Sequence, residues 1–410
     1  MTLELSKLTG QMRAMGEELA AREQQYADLV ALARRWLAEY ADQGEELRHR
    51  IRSIRPARRC HAAIPTDETL DAVHHLPGIP ERFTFIAADG TQIQPDRHGA
   101  VLYHLINVGS IVYRHGSGQA PEARSQPTLG YTEADLYENG TLVAGNLLDV
   151  RRDLAEITCL ADLCTAEPSS PRTSPFRWRF VRTVAVVDGT LILWVLEDMP
   201  PEGRQRKITE YLHQLDRIRD TGASVAAFIS RPRRGEVAQL LHLANVGGDV
   251  NRAIEEPNPL QHLPDRAIFG WLPPGARSAL FASSTPINCD HYQPAGHDIH
   301  FCYVNVDSRH PLAQEDHEAI IARVEFPAWV AQDANRLALV HGAIVAQARI
   351  TGDYPYALVR ADELAFISGP EREALESMVL TALMDAGVRT ALSPKRYYKT
   401  LTRQGRRKRR

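Results

Sequence analysis

From Leu5 the apolar positions fall at three- and four-residue intervals, Leu5, Leu8, Met12, Met15 and Leu19, then Tyr26, Leu29, Ala33, Trp36 and Tyr40, with Leu47 and Ile54 beyond a gap. The spacing predicts one amphipathic helix over residues 1–55, with a heptad-like seam interrupted at Arg22, Gln43 and Arg50. A helix of about 50 residues reaches about 75 Å, more than one domain needs. Its seam therefore needs cover from a second copy, another protein or the chain's own body. Pro56, Pro65, Pro77 and Pro80 then break the pattern before a main domain over residues 80–390.

Within that domain the period changes. Phe83-Thr-Phe-Ile-Ala-Ala reads as a buried strand ending in Asp89-Gly90-Thr91-Gln92, and Ala100–Asn107 and Ser110–Tyr113 read as returning strands of a meander. Residues 116–127 read as a polar loop. A stripe of Val150, Leu154, Ile157, Ala161 and Cys164 predicts a helix with Asp149 as its N-cap, and Glu156 lies beside the stripe, as on a solvated face. After a Ser- and Pro-rich linker at Pro168–Pro175, Thr183-Val-Ala-Val-Val-Asp188-Gly189-Thr190 repeats the form of a strand delivering a carboxylate.

Further elements alternate. A helix over 204–219, a strand at Ser224–Ile229, a helix through Val237–Leu243, strands at Phe301–Val306 and Ala322–Phe326, and helices over 332–350, from Leu358 to Phe366 and over 371–386 follow in turn. This order argues for α/β architecture, a mixed sheet with flanking helices and a long N-terminal helical extension.

Composition adds exclusions. Hydrophobic residues at 44% and charged residues at 24% are ordinary for a globular chain, and five cysteines without a Cys-x-x-Cys pair give neither a disulfide nor a zinc framework. No run of 18 apolar residues and no apolar leader occurs, so a cytoplasmic protein without a membrane span is expected. Walker A and G-x-G-x-x-G motifs are missing. Cys289, Asp290, His291, His297 and His300 lack a zinc-type spacing and read as loop residues near a strand start. The net charge of −3 hides an asymmetry, because residues 395–410 hold nine Lys or Arg and no acid. A solubilising end, an acidic partner and DNA are all compatible with that tail.

Asp-Gly between apolar runs is a hairpin signal when it occurs once. Two strand-borne carboxylates, Asp89 and Asp188, instead suggest oxygen ligands for a pair of hard divalent cations such as Mn²⁺ or Mg²⁺.

Ala88-Asp89-Gly90-Thr91, Arg152 through Glu156, Val187-Asp188-Gly189-Thr190-Leu191, Asp265-Arg266 with Phe269, Arg277-Ser278 with Phe281, Arg323-Val-Glu325-Phe-Pro327-Ala-Trp329, and Tyr354-Pro355 followed by Leu358 and Ala361-Asp362 occur in this order. Together they resemble the NurA-domain nucleases over roughly residues 80–390. The resemblance implies a ribonuclease H-like core and a manganese-dependent DNA nuclease with 5′-to-3′ exonuclease and single-strand endonuclease activity. It also implies a homodimer working with the hexameric HerA translocase in double-strand break repair. Asp89, Glu156 and Asp188 match the family's metal-binding acids, and Tyr354 its active-site tyrosine. Asp362 stands where the family often has a histidine. Within this frame Lys395, Arg396, Lys399 and Arg403 are candidate phosphate contacts. A rival reading is a catalytically weak subunit that clamps DNA or regulates a translocase, and RNA cleavage on the same fold ranks below both.

Overall fold

A computed structural model describes residues 5–53, 61–167, 182–199, 201–307 and 319–388. The linker Pro168–Pro175, the break at Pro56 and the basic tail with Lys395, Arg396, Lys399 and Arg403 lie outside the described residues. The strands are β1 (Ile64–Pro65), β2 (Phe83–Ile93), β3 (His104–His115), β4 (Glu122–Gly130), β5 (Tyr137–Glu138), β6 (Thr141–Leu142), β7 (Arg182–Asp188), β8 (Ser224–Ile229), β9 (Phe281–Ala282), β10 (Ile299–Asn305) and β11 (Ile321–Pro327). The helices are α1 (Thr9–Glu39), α2 (Gly44–Ser53), α3 (Glu133–Leu136), α4 (Asn146–Ala166), α5 (Pro201–Thr221), α6 (Glu236–Asn245), α7 (Val250–Glu255), α8 (Asp265–Ile268), α9 (Ala328–Ala331), α10 (Ala334–Thr351), α11 (Tyr356–Ala365) and α12 (Gly369–Asp385). They form two compact units. The first comprises residues 1–79, 189–192 and 226–355, and the second residues 80–188, 193–225 and 356–410.

The second unit is built on a meander. β2 pairs antiparallel with β3 along all its eleven residues, β3 pairs antiparallel with β4, and β7 runs parallel to β2. A three-strand meander whose first strand is flanked by a parallel strand reached through a helical crossover is the ribonuclease H-like arrangement that the family resemblance implies. Three details differ from the sequence reading, the first being that the expected returning strands at Ala100–Asn107 and Ser110–Tyr113 are one strand, β3 (His104–His115). β2 does not stop at Asp89, because Thr91 and Gln92 find partners in Asn107 and Ile106 of β3, so no hairpin turn forms there. Residues Glu122–Gly130 are an edge strand, exposed on both faces until Gly130, which removes the apolar alternation by which a strand is recognised.

Glycine settles how one helix covers this sheet. Gly109 of β3 sits opposite Asp89, and a Cβ there would fall 2.1 Å from Ala361 O and 2.4 Å from Ala365 N, so α11 lies with its backbone against the strand. Asn107 Nδ2 then donates to the carbonyls of Leu364 and Ala365, satisfying the end of that helix, and accepts from Ser125 Oγ through its own Oδ1.

The first unit carries an antiparallel sheet in the order β1, β9, β10, β11 and then the Ala227–Ile229 end of β8. The N-terminal seam divides. α1 ends at Glu39 and a short 3₁₀ turn at Ala41–Gln43 separates it from α2. Ala33, Trp36, Leu37, Leu47 and Ile51 are buried in one apolar cluster with Leu240, Leu241 and Leu243 of α6. Arg34 donates to the carbonyls of Ala267 and Ile268. The second half of the seam thus packs on its own unit, whereas Met12, Met15 and Leu19 are exposed. Among the described residues no helix is long and apolar enough to cross a membrane.

Candidate active site

The parallel ladder of β2 and β7 runs to the pair Ala88–Val187, so Asp89 and Asp188 follow side by side on adjacent strands, whose usual spacing is about 4.8 Å. Asp89 is half-buried. Burial pushes its carboxyl up to about 6, and the charges of Asp188 and Asp362 act in the same direction, against a 2.8 Å hydrogen bond from its neighbour's backbone at Gly90.

Glu156 comes to this pair from α4. That helix starts at Asn146 with Gly145 as its N-cap, one turn before the expected start, and Asp149 instead accepts a hydrogen bond from Gln92 Nε2. Glu156 is 6% exposed, the reverse of the solvated face that periodicity suggested. Gly90 explains the difference, since a Cβ at residue 90 would stand 2.5 Å from Glu156 Oε1. Burial drives the Glu156 carboxyl well above its ordinary range, and Asp153, Asp89 and Asp188 add to the rise against the opposing charge of Arg152.

Asp362 joins the cluster through α11, whose backbone lies against Gly109, and stands near enough to Asp89 to raise its carboxyl. Tyr354 belongs to the first unit, where its ring meets Phe228 edge-on at 5.1 Å between centroids. Sequence reasoning missed Asp153. Asp149, Arg152, Asp153 and Glu156 fall at i, i+3, i+4 and i+7 on one helical face, and that spacing was the available signal.

The donors suit one class of ligand. Carboxylates crowded together, partly dry and raised by one another, gain from a hard divalent cation that binds oxygen. As the side chains stand, no three of His, Cys, Asp or Glu converge closely enough to enclose an ion among the described residues, and Glu156 is engaged by Arg152 Nε at 3.2 Å. The histidines near residue 290 are otherwise employed. His297 accepts from Trp329 Nε1, and His300 Nε2 lies 3.4 Å from Asp298 Oδ2.

The NurA domain family model matches residues 83–367, well over half of the chain. Among solved structures, the NurA nuclease from Sulfolobus solfataricus is 12% identical over 91% of this chain and 98% of its own, with a TM-score of 0.47. A NurA structure with manganese is 11% identical over 75% of this chain and 91% of its own, with a TM-score of 0.35. LC9-RNase H1, a type 1 RNase H with the type 2 active-site motif, is 14% identical over 44% of this chain and 76% of its own, with a TM-score of 0.23. No curated protein sequence matches the chain.

Proposed function

The chain belongs to the NurA-domain family of nucleases, and from that premise we propose that it hydrolyses DNA phosphodiesters with divalent cations, Mn²⁺ or Mg²⁺, held by Asp89, Glu156 and Asp188. The observation that carries the reading is the mutual crowding of these carboxylates with Asp362, which leaves Asp89 and Glu156 hard to ionise without added positive charge. A pair of ions about 3.5–4 Å apart would supply the activated water and neutralise charge on the departing 3′ oxygen.

The chain's own residues have separate tasks in this proposal. Asp89 and Asp188 offer oxygens from adjacent strands, and Glu156 offers a third from α4. Asp362, an aspartate in place of the family's histidine, adds another hard donor or acceptor beside Asp89, and has no imidazole with which to carry a proton near neutral pH. Tyr354 would stack on a base or hydrogen-bond a phosphate, and Lys395, Arg396, Lys399 and Arg403 would hold the backbone by charge, making binding salt-dependent and largely blind to sequence. A 5′-to-3′ exonuclease and single-strand endonuclease acting as a homodimer with a HerA-type translocase in end resection is the fuller form of the proposal. Its setting is cytoplasmic, in keeping with Cys159, Cys164 and Cys302, which form no disulfide among the described residues.

Labelled single- and double-stranded DNA incubated with the purified full-length chain and increasing Mn²⁺ tests the reading. Metal-dependent release of nucleotides or fragments supports it. DNA binding without cleavage at any metal concentration would favour the clamping subunit.

A further inference from the structure

Arg152 stands four residues before Glu156 on α4 and holds two acids. Its Nε lies 3.2 Å from Glu156 Oε1, and its Nη2 lies 3.0 Å from Asp153 Oδ1. The two contacts differ in kind. Nη2 donates a hydrogen bond to Asp153, whereas the buried Nε has no hydrogen-bond acceptor in line. The grip on Glu156 is one of charge and lacks the directional bond that makes an arginine–carboxylate pair hard to replace.

The pair also has a built seat. A Cβ on Gly90 would fall 2.7 Å from Arg152 Cγ as well as 2.5 Å from Glu156 Oε1, so both side chains occupy space that another residue at 90 would fill. Against this one guanidinium stand Asp153, Asp89 and Asp188, all of which oppose a negative charge on Glu156. A buried carboxylate among like charges keeps its proton unless a cation stands beside it, so ionised Glu156 needs a cation of some kind.

We infer that Arg152 is the resident counter-ion of Glu156, filling in the metal-free protein the electrostatic place that a divalent cation takes over, so that guanidinium and metal compete for Glu156. The inference rests on the reading of Asp89, Glu156 and Asp188 as metal ligands. Asp153 completes the exchange. When the cation takes Glu156, Arg152 keeps the acid to which it is hydrogen-bonded, and the half-buried guanidinium is not left alone. A merely structural arginine would stabilise the fold equally with and without metal.

The test uses the full-length chain as wild type, Arg152→Met and Arg152→Lys, with thermal melts in chelator and across a Mn²⁺ titration, and Mn²⁺ affinity by calorimetry. Methionine keeps an aliphatic stem over Gly90 and removes the charge together with the hydrogen bond to Asp153. Arg152→Met is expected to melt lower in chelator, to bind Mn²⁺ at least about tenfold more tightly, and to regain most of its deficit at saturating Mn²⁺. Arg152→Lys should stay near wild type. Should Arg152→Met fail to fold in chelator, recovery of a cooperative melt on adding Mn²⁺ supports the inference, and no recovery overturns it. Equal or weaker Mn²⁺ binding by Arg152→Met, or a deficit unchanged by metal, overturns it too. A wild type whose melting does not respond to Mn²⁺ would overturn the ligand assignment itself, an outcome visible before any variant is compared.

Discussion

Arg323 in the first unit and Arg152 in the second each bridge two acids, and the two clusters differ in what lies beyond the arginine. In the first unit Arg323, 1% exposed, donates from Nε to Glu325 and from Nη1 to Glu236, both at 2.9 Å, and its guanidinium covers the Phe301 ring at 3.6 Å. Glu325 has further partners in Thr190 Oγ1 at 2.7 Å and Leu191 N at 3.0 Å. Nearby Asp265 accepts from Val237 N, Ala238 N and Tyr303 OH. Within that guanidinium only Nη2 lacks an acceptor. In the second unit Arg152 meets Glu156 without a hydrogen bond, and behind Glu156 lie more carboxylates. A buried ionic network answered by protein donors fixes a core, whereas one answered mainly by further negative charge is poised to take a cation.

The largest effect that separates the two clusters is on catalysis. Asp89→Asn and Asp188→Asn should each reduce metal-dependent cleavage to background while leaving the chain folded, whereas Arg323→Met should spare the chemistry of the folded fraction. Cleavage assays on all three, normalised to folded protein by circular dichroism, check this. Next in size, Arg323→Met should lose about 3–5 kcal/mol of stability, because two buried carboxylates remain without their cation. Urea denaturation gives the figure, and a loss under 1 kcal/mol would count against a core role for the network.

The pH dependence then divides the two units. Asp89 titrates at about 6 when folded, against 3.8 ordinarily, so over this interval the folded chain holds the proton that the unfolded chain has released. The Asp89 contribution to stability in chelator therefore falls as pH rises from about 4 to about 6. Asp265, fully buried and also pushed up to about 6 by burial, contributes a decline of the same sign from the first unit. Asp89→Asn should make the decline shallower, and saturating Mn²⁺ should remove the Asp89 part while leaving that of Asp265. Urea midpoints at pH 4, 5, 6 and 7 measure both. Smallest is Thr190→Val, which deletes one donor to Glu325 and should cost about 1 kcal/mol, read from the same urea curves. A thermal response to Mn²⁺ unchanged from wild type would keep that contact out of the metal site.

How far the sequence alone reached follows the same division. The strands carrying Asp89 and Asp188, the helix carrying Glu156 and the helix carrying Asp362 were legible from period and from small polar residues after apolar runs. Features that depend on distant partners were not. The continuation of β2 through Thr91 and Gln92 depends on partners in β3, and backbone pairing leaves no mark on side-chain polarity. The burial of Glu156 depends on the missing Cβ of Gly90, more than sixty residues away in sequence. The divided fate of the N-terminal seam depends on α6, which offers apolar cover to Ala33, Trp36 and Leu37 but not to Met12, Met15 and Leu19. Each is a relation between distant segments, and local periodicity carries no information about it.

Direct titration of Mn²⁺ into the metal-free wild type, Asp89→Asn and Asp188→Asn, followed by calorimetry and by the loss of the free-ion paramagnetic resonance signal, tests the central claim most directly. The account predicts saturable binding by the wild type and binding weakened by at least about tenfold in each variant, since each loses a charged oxygen donor. Equal affinity in all three proteins would contradict it and remove Asp89 and Asp188 from the metal site.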